Sequence, residues 1–103
     1  MTYNYNMGET KYEWNESKRQ EILAARDLDI AAIGPELLRS PDLKVIDDDR
    51  RDYGEIRFRA FGIARGFRLC LVFTLRGDGE IIRLITIFIV NQKDWEKNYG
   101  RDS

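Results

Sequence analysis

The chain has 103 residues, of which 43% are hydrophobic and 12% aromatic, a composition that predicts one folded domain and excludes a disordered chain. Its longest apolar run is short and contains Arg83, which excludes a membrane-spanning helix. The sequence has no His, the commonest general base and zinc ligand, and its single cysteine, Cys70, excludes an internal disulfide. Cys70 fits a reducing cytosol and, with no secretion signal expected, the chain is predicted to be cytoplasmic.

The net charge of −1 is unevenly distributed along the chain. Residues 56–83 carry six arginines against Asp78 and Glu80, a surplus of four positive charges. Residues 42–55 carry three basic and six acidic side chains, a deficit of three. Because arginine presents a planar fork of donors suited to phosphate, the basic block predicts either phosphate binding or only the solvated face of a sheet.

The first half of the sequence predicts a leader, a short strand and a helix. Residues 1–11 form the predicted flexible leader, and the aromatic residues of 12–14 are typical of a short strand. Asn15 is predicted to cap a helix over about 16–26, because its side-chain oxygen can accept from free amides of the first turn.

A second helix is predicted over about 30–39, with Asp29 as its N-terminal cap. Gly34 and Pro35 interrupt its apolar pattern. Since proline removes one backbone hydrogen bond and clashes with the preceding turn, this pair is expected to kink or split the helix.

From residue 43 the apolar period changes to two, which predicts strands. Three long strands are expected over about 55–64, 68–76 and 80–90, with a tight hairpin at the RGDG of 76–79. The last of these strands is apolar on both faces, which predicts a central or helix-covered position.

Asn91 is predicted to cap a final helix over about 92–100. The predicted fold class is therefore α+β: a short N-terminal strand, two helices, an antiparallel meander of three or four strands and a C-terminal helix. One domain is predicted over 12–100, followed by a tail at 101–103.

The residues point to phosphate recognition rather than to metal or cofactor chemistry. The sequence contains no glycine-rich phosphate loop, no paired cysteines and no carboxylates at metal-binding spacing, and the acidic run at 47–49 is typical of a solvated turn.

Side chains that face the same way on paired strands approach within about 5–8 Å, so arginines there repel one another unless they are solvated or bind an anion. RNA phosphate is the natural candidate. The arginines concerned are Arg57, Arg59, Arg68, Arg76 and Arg83.

Four segments together resemble a known family. They are YEWNESK at 12–18, DYGEIRFRAFG at 52–62, LVFTLRG at 71–77 and IIRLIT at 81–86. Their order and spacing are similar to those of the BrnT-type toxins. The resemblance implies a bacterial ribonuclease toxin with a RelE-like fold, and a BrnA-like antitoxin with a ribbon-helix-helix DNA-binding end. Operator DNA would be contacted only through that antitoxin, and translation would be inhibited by RNA cleavage.

The resemblance also implies a reaction without metal or other cofactors, in which a 2′-hydroxyl attacks the neighbouring phosphate and basic groups stabilise the transition state. The implied catalytic residues are Arg57, Arg76, Arg83, Lys18, Glu55 and Tyr99, with Glu55 as a base or an arginine anchor and Lys18 or Tyr99 as proton donor. The implied RNA-binding residues are Trp14, Arg26, Arg59 and Arg68, of which Trp14 either stacks on a base or packs in the core.

Two positions depart from the family pattern. Arg26 stands where the family has a histidine, and Phe88 stands where it has a basic residue. An arginine can bind phosphate but does not exchange protons near neutral pH. The alternative interpretation is therefore a catalytically degenerate protein that acts as an antitoxin-binding or regulatory module.

Overall fold

The structure is a computed structural model that describes residues 2–7, 10–50 and 52–100, with side chains described from residue 10 onward. It confirms the α+β class, with helices packed on a mixed sheet. No helix in these ranges is long and apolar enough to cross a membrane. The described elements, in chain order, are β1 (Thr2–Met7), β2 (Thr10–Asn15), α1 (Glu16–Arg26), α2 (Ile30–Leu38), β3 (Lys44–Asp47), β4 (Arg57–Ala64), β5 (Phe67–Arg76), β6 (Ile81–Ile89) and α3 (Gln92–Asn98).

The sheet is mixed rather than purely antiparallel, which corrects the prediction. Its strand order is β1-β2-β6-β5-β4-β3. Strands β3 to β6 form the expected antiparallel meander, but β2 pairs with β6 in parallel, and β1 adds an antiparallel strand outside β2. Parallel pairing needs a long crossover, and the helices and meander between β2 and β6 provide it. The predicted leader at 1–11 thus contains β1 and the start of β2.

The helix caps form as the sequence predicts. The side chain of Asn15 accepts a hydrogen bond from the Lys18 amide at the start of α1. Asp29 accepts from the Ala31 amide at the start of α2, and Asn91 from the Asp94 amide at the start of α3. These contacts satisfy donors that have no partner within the helix, so they fix where each helix begins.

Helix α2 continues through Gly34 and Pro35, so of the predicted kink or split the split is wrong. Both residues are buried against the sheet. A Cβ at Gly34 would lie 3.2 Å from a methyl group of Leu84, so glycine permits the helix to approach β6 closely. The apolar contact of this face with the sheet offsets the backbone hydrogen bond that proline removes.

The two faces of the sheet are covered differently. The face that we call the covered face packs against α1 and α2, and its core includes Ile22, Leu37 and the buried leucines of β5. The opposite face, which we call the groove face, carries a smaller apolar cluster beneath α3, around Phe61 and Trp95. The remainder of the groove face carries charged side chains.

A bulge in β6 decides which of its residues reach the groove face. Val72 pairs with Thr86 and Phe73 pairs with Leu84, so Ile85 has no partner on β5. A bulge resets the alternation of side chains along a strand. Leu84 and Ile87 therefore belong to the larger core, whereas Ile85 and Phe88 belong to the cluster beneath α3.

Candidate functional site

A row of polar side chains crosses four strands of the groove face. Glu13 of β2 is level with Arg83 of β6, which pairs with Thr74 of β5, which in turn pairs with Arg57 of β4. Residues at equivalent positions on neighbouring strands have side chains within contact distance. The register thus places Arg57 and Arg83 at the same level of the sheet, on the two strands that flank β5.

Two glutamates connect these arginines to a third. The Glu13 carboxylate lies 2.8 Å from Arg83 and 3.5 Å from Arg76. The Glu55 carboxylate lies 2.9 Å from Arg57 and 3.7 Å from Arg76. Three guanidiniums therefore share two carboxylates, which leaves a surplus of one positive charge and holds the arginines in fixed positions.

The three arginines and Glu55 line an open pocket of about 420 Å³, which we call the arginine pocket. Helix α1 contributes Lys18 on one side, and its ammonium lies 3.8 Å from Glu21. The pocket thus unites five of the six predicted catalytic residues, on three strands, one loop and one helix. They are Lys18, Glu55, Arg57, Arg76 and Arg83.

The arrangement suits a phosphate that gains negative charge during a reaction. A phosphate oxygen can replace a weakly held carboxylate, such as the pairs of Arg76 at 3.5 and 3.7 Å, with little movement of the guanidinium. Arg57 is further fixed by the ring of Tyr53, whose centroid lies 4.3 Å from its guanidinium carbon. Glu55, freed from Arg76 by such an exchange and still held by Arg57 at 2.9 Å, would be a carboxylate base beside the phosphate.

Tyr99 and Trp14 lie away from the arginine pocket. The Tyr99 hydroxyl donates to the carbonyl oxygen of Asp42, and its ring stacks on Trp95 at 4.3 Å between centroids. Trp14 is 7% exposed, lies in the core of the covered face, and donates its indole N–H to Glu16. The structure therefore places Tyr99 and Trp14 in packing and hydrogen-bonding contacts.

Arg26 and Arg68 are also outside the arginine pocket. Arg26 donates to the carbonyl oxygen of Ile87 at 2.9 Å and to the Thr86 hydroxyl at 3.0 Å. The pairing of β2 with β6 ends at Leu84, so Arg26 supplies a donor to the edge of β6 beyond it. Arg68, the second residue of β5, lies over the ring of Trp95 at 5.7 Å and does not line the arginine pocket.

Asp48 is a residue that the sequence interpretation missed. Its side chain is 1% exposed, and its two oxygens accept from Arg50 at 2.6 and 2.9 Å. Hydrogen bonds from Arg50 lower the pKa of Asp48 to about 2. Arg59, one of the predicted RNA-binding residues, lies 3.7 Å from the same carboxylate. The acidic run at 47–49 is thus not wholly a solvated turn.

Glu13 is a second residue that the sequence interpretation missed. Its alternation with the buried Tyr12 and Trp14 places it on the opposite face of β2, which a sequence can indicate. Its contact with Arg83 depends on the parallel pairing of β2 with β6, for which the sequence has no local signal.

Cys70 is buried and free. Burial raises the pKa of its thiol to about 12, so it is held as the unreactive protonated form. Within the described ranges, no three His, Cys, Asp or Glu side chains form a group that could hold a metal ion.

Comparison with known proteins agrees with the motifs in the sequence. No curated protein matches the chain. A family model described as "Ribonuclease toxin, BrnT, of type II toxin-antitoxin system" matches residues 14–94, which is more than half of the chain. The chain belongs to the BrnT family of ribonuclease toxins of type II toxin–antitoxin systems.

Proposed function

We propose that this protein is an active toxin that cleaves RNA without a metal ion and thereby inhibits translation in the bacterial cytoplasm. The observation that carries the proposal is the convergence of Arg57, Arg76 and Arg83 with Lys18 and Glu55 around one open pocket. Family membership supplies the reaction class, and the pocket supplies groups of the required chemistry.

The proposed reaction uses no group from outside the chain. Glu55 removes the proton of the ribose 2′-hydroxyl, whose oxygen attacks the adjacent phosphorus. The bond from phosphorus to the 5′ oxygen breaks, Lys18 protonates that oxygen, and the products are a 2′,3′-cyclic phosphate and a 5′-hydroxyl. Arg57, Arg76 and Arg83 bind the phosphoryl oxygens, whose charge increases in the transition state.

The partner that we propose is a BrnA-like antitoxin with a ribbon-helix-helix end, and the fold that we propose is of the RelE type. The antitoxin would neutralise the toxin and carry the pair to operator DNA. Expression of the chain alone should arrest growth, and coexpression with the product of the neighbouring reading frame should restore it. Growth that continues without the partner would contradict an active toxin.

Cleavage of RNA by the purified chain tests the activity directly. The chain should leave 2′,3′-cyclic phosphate ends in the presence of a chelator, and a 2′-deoxy substitution at the cleaved position should block the reaction. Arg83→Ala should lower the rate by about 10²–10³-fold, because one preorganised donor to the developing charge contributes about 3–4 kcal/mol.

Arg68→Ala is the matched control, since Arg68 is an exposed arginine of the same sheet outside the pocket. It should retain nearly the full rate. If wild-type protein leaves RNA intact over hours and Arg83→Ala behaves identically, the proposed activity is refuted.

The second candidate function is that of a catalytically degenerate module that binds the antitoxin and regulates its own operon. The observation in its favour is that Arg26, at the family's histidine position, is held by the Ile87 carbonyl and cannot transfer a proton. An inert chain that still binds its partner and represses the operon would support this candidate.

A further inference from the structure

The arginine pocket is one end of a longer groove. Arg57 and Ile85 line both this pocket and a second one of about 350 Å³, which also contacts Tyr53 and Arg50. Arg50 in turn lines a third pocket of about 300 Å³. Because neighbouring pockets share side chains, they lie side by side from α1, past the start of β4, to α3.

The third pocket combines an apolar base with a charged rim, and we call it the phenylalanine pocket. The buried Phe61 and Val90 and the half-buried Phe88 form its base. Arg50, Arg59 and Lys97 are the cations of its rim, and Asp94 and Asn98 of α3 complete it. Aromatic rings beside guanidiniums are the combination on which single-stranded nucleic acids stack their bases and rest their phosphates.

The cations of the rim are incompletely neutralised. Asp48 accepts from Arg50 with both oxygens and also from the Tyr53 hydroxyl at 3.2 Å. Arg59 is 14% exposed, and its Nε, 3.7 Å from Asp48, has no hydrogen-bond acceptor among the residues that the structure describes. One carboxylate thus serves two guanidiniums, which leaves a positive charge beside the pocket.

The positive charge at Arg59 lies close to the arginine pocket, because Arg59 and the pocket residue Arg57 are near neighbours on β4. Arg57 and Arg59 are two residues apart on one strand, which separates their Cα atoms by about 7 Å and directs both side chains to the same face. An extended single strand that places one phosphate at Arg57 therefore carries its next nucleotide past Arg59 and towards Phe88.

We propose that the phenylalanine pocket is a second nucleotide subsite, which stacks the base of a nucleotide flanking the cleaved bond on Phe88 and binds its phosphate with Arg59 and Lys97. This inference rests on the proposed ribonuclease function and defines the substrate as single-stranded RNA that extends beyond the two nucleotides at the cleaved bond.

A flexible acidic peptide is the competing occupant. Its carboxylates would satisfy the same cations, but it would gain little from the aromatic base of the pocket. Stacking contributes about 1–3 kcal/mol per nucleotide base and is therefore the property that separates the two ligands.

Binding to a substrate that cannot be cleaved tests the subsite separately from activity. The probes are fluorescently labelled 2′-deoxy oligonucleotides of two and about eight nucleotides, and a glutamate-rich peptide of the same charge as the longer one, measured by anisotropy. The variants are Phe88→Leu, which keeps an apolar side chain without a ring, and Lys97→Gln. The matched control is Lys93→Gln, an exposed lysine of the same helix that does not line the pocket.

Phe88→Leu should weaken binding of the longer oligonucleotide about tenfold and leave that of the dinucleotide unchanged. Lys97→Gln should weaken it about threefold and reduce the salt dependence by about one ion, whereas Lys93→Gln should have no such effect. Equal effects of the two lysine variants, an unchanged affinity for Phe88→Leu, or equally tight binding of the peptide would overturn the subsite.

The two proposals fail separately. If the wild-type chain cleaves no RNA but Phe88→Leu weakens the longer oligonucleotide selectively, the ribonuclease function is refuted and the subsite is supported. If the chain cleaves RNA while Phe88→Leu binds like wild type, the subsite is refuted and the function stands.

Discussion

The covered face and the groove face of the sheet are built from the same strands but are stabilised in different ways. On the covered face, side chains such as Leu37 and Leu71 are fully buried and contribute by removing apolar area from water. On the groove face, Arg57, Arg76 and Arg83 are held by carboxylates and remain partly accessible. Most of the apolar burial and most of the accessible charge therefore lie on different faces, so substitutions on the two faces should have separate effects.

Asp48 is an exception on the groove face, because it is a buried charge that stabilises the fold. Asp48→Asn should cost about 3 kcal/mol of unfolding free energy, since it removes the charged acceptor of the Arg50 hydrogen bonds and the counter-ion of Arg59. Urea unfolding measures the change. Asp49→Asn is the control, because Asp49 is exposed, and it should change stability by less than about 0.5 kcal/mol.

Leu37→Ala tests the covered face alone. It should lower the unfolding free energy by about 3 kcal/mol, through lost burial and a cavity against Gly62, whereas Ile63→Ala, at a residue that is 57% exposed, should have little effect. Oligonucleotide affinity measured well below the unfolding midpoint should be unchanged in both. A large loss of affinity in Leu37→Ala would show that the two faces are coupled.

Acid should remove the stabilisation that the ionised Asp48 gives to the groove face. The pKa of Asp48 is lowered to about 2 in the folded protein, so its ionised form stabilises the fold above the ordinary aspartate range. As the pH falls from about 5 towards 2, about 2 kcal/mol of stability should be lost. Chemical unfolding across this range measures the slope, and a slope that persists in Asp48→Asn would assign it to other carboxylates.

The smallest stability effects are expected for substitutions of two cations of α1, Arg26 and Lys18. Arg26→Gln should cost about 1 kcal/mol, because it removes donors to the edge of β6, and should leave RNA cleavage unchanged. Lys18→Gln should change stability by less than about 0.5 kcal/mol, because its ion pair with Glu21 is exposed. The same variant should lower cleavage about 10–10²-fold as the proposed proton donor. Parallel thermal-unfolding and cleavage measurements distinguish the two roles.

Local sequence signals predicted the elements well. Asn15, Asp29 and Asn91 each cap a helix as expected, because capping depends on a side chain and on amides within three residues of it. The period of two predicted the strands β4 and β5 for the same local reason. The prediction failed at Pro35, where contact between α2 and the sheet outweighed the local preference of proline.

The sequence by itself determined the α+β class, the family motifs and the arginines that converge on the arginine pocket. Tertiary structure alone decided that Glu13 meets Arg83, because parallel pairing joins residues that are distant along the chain. It also decided, through the bulge at Ile85, that Phe88 lies in the groove, since strict alternation from Arg83 would have placed Ile87 there. Periodicity reports which residues share a face of one strand, whereas register and bulges depend on the strands beside it.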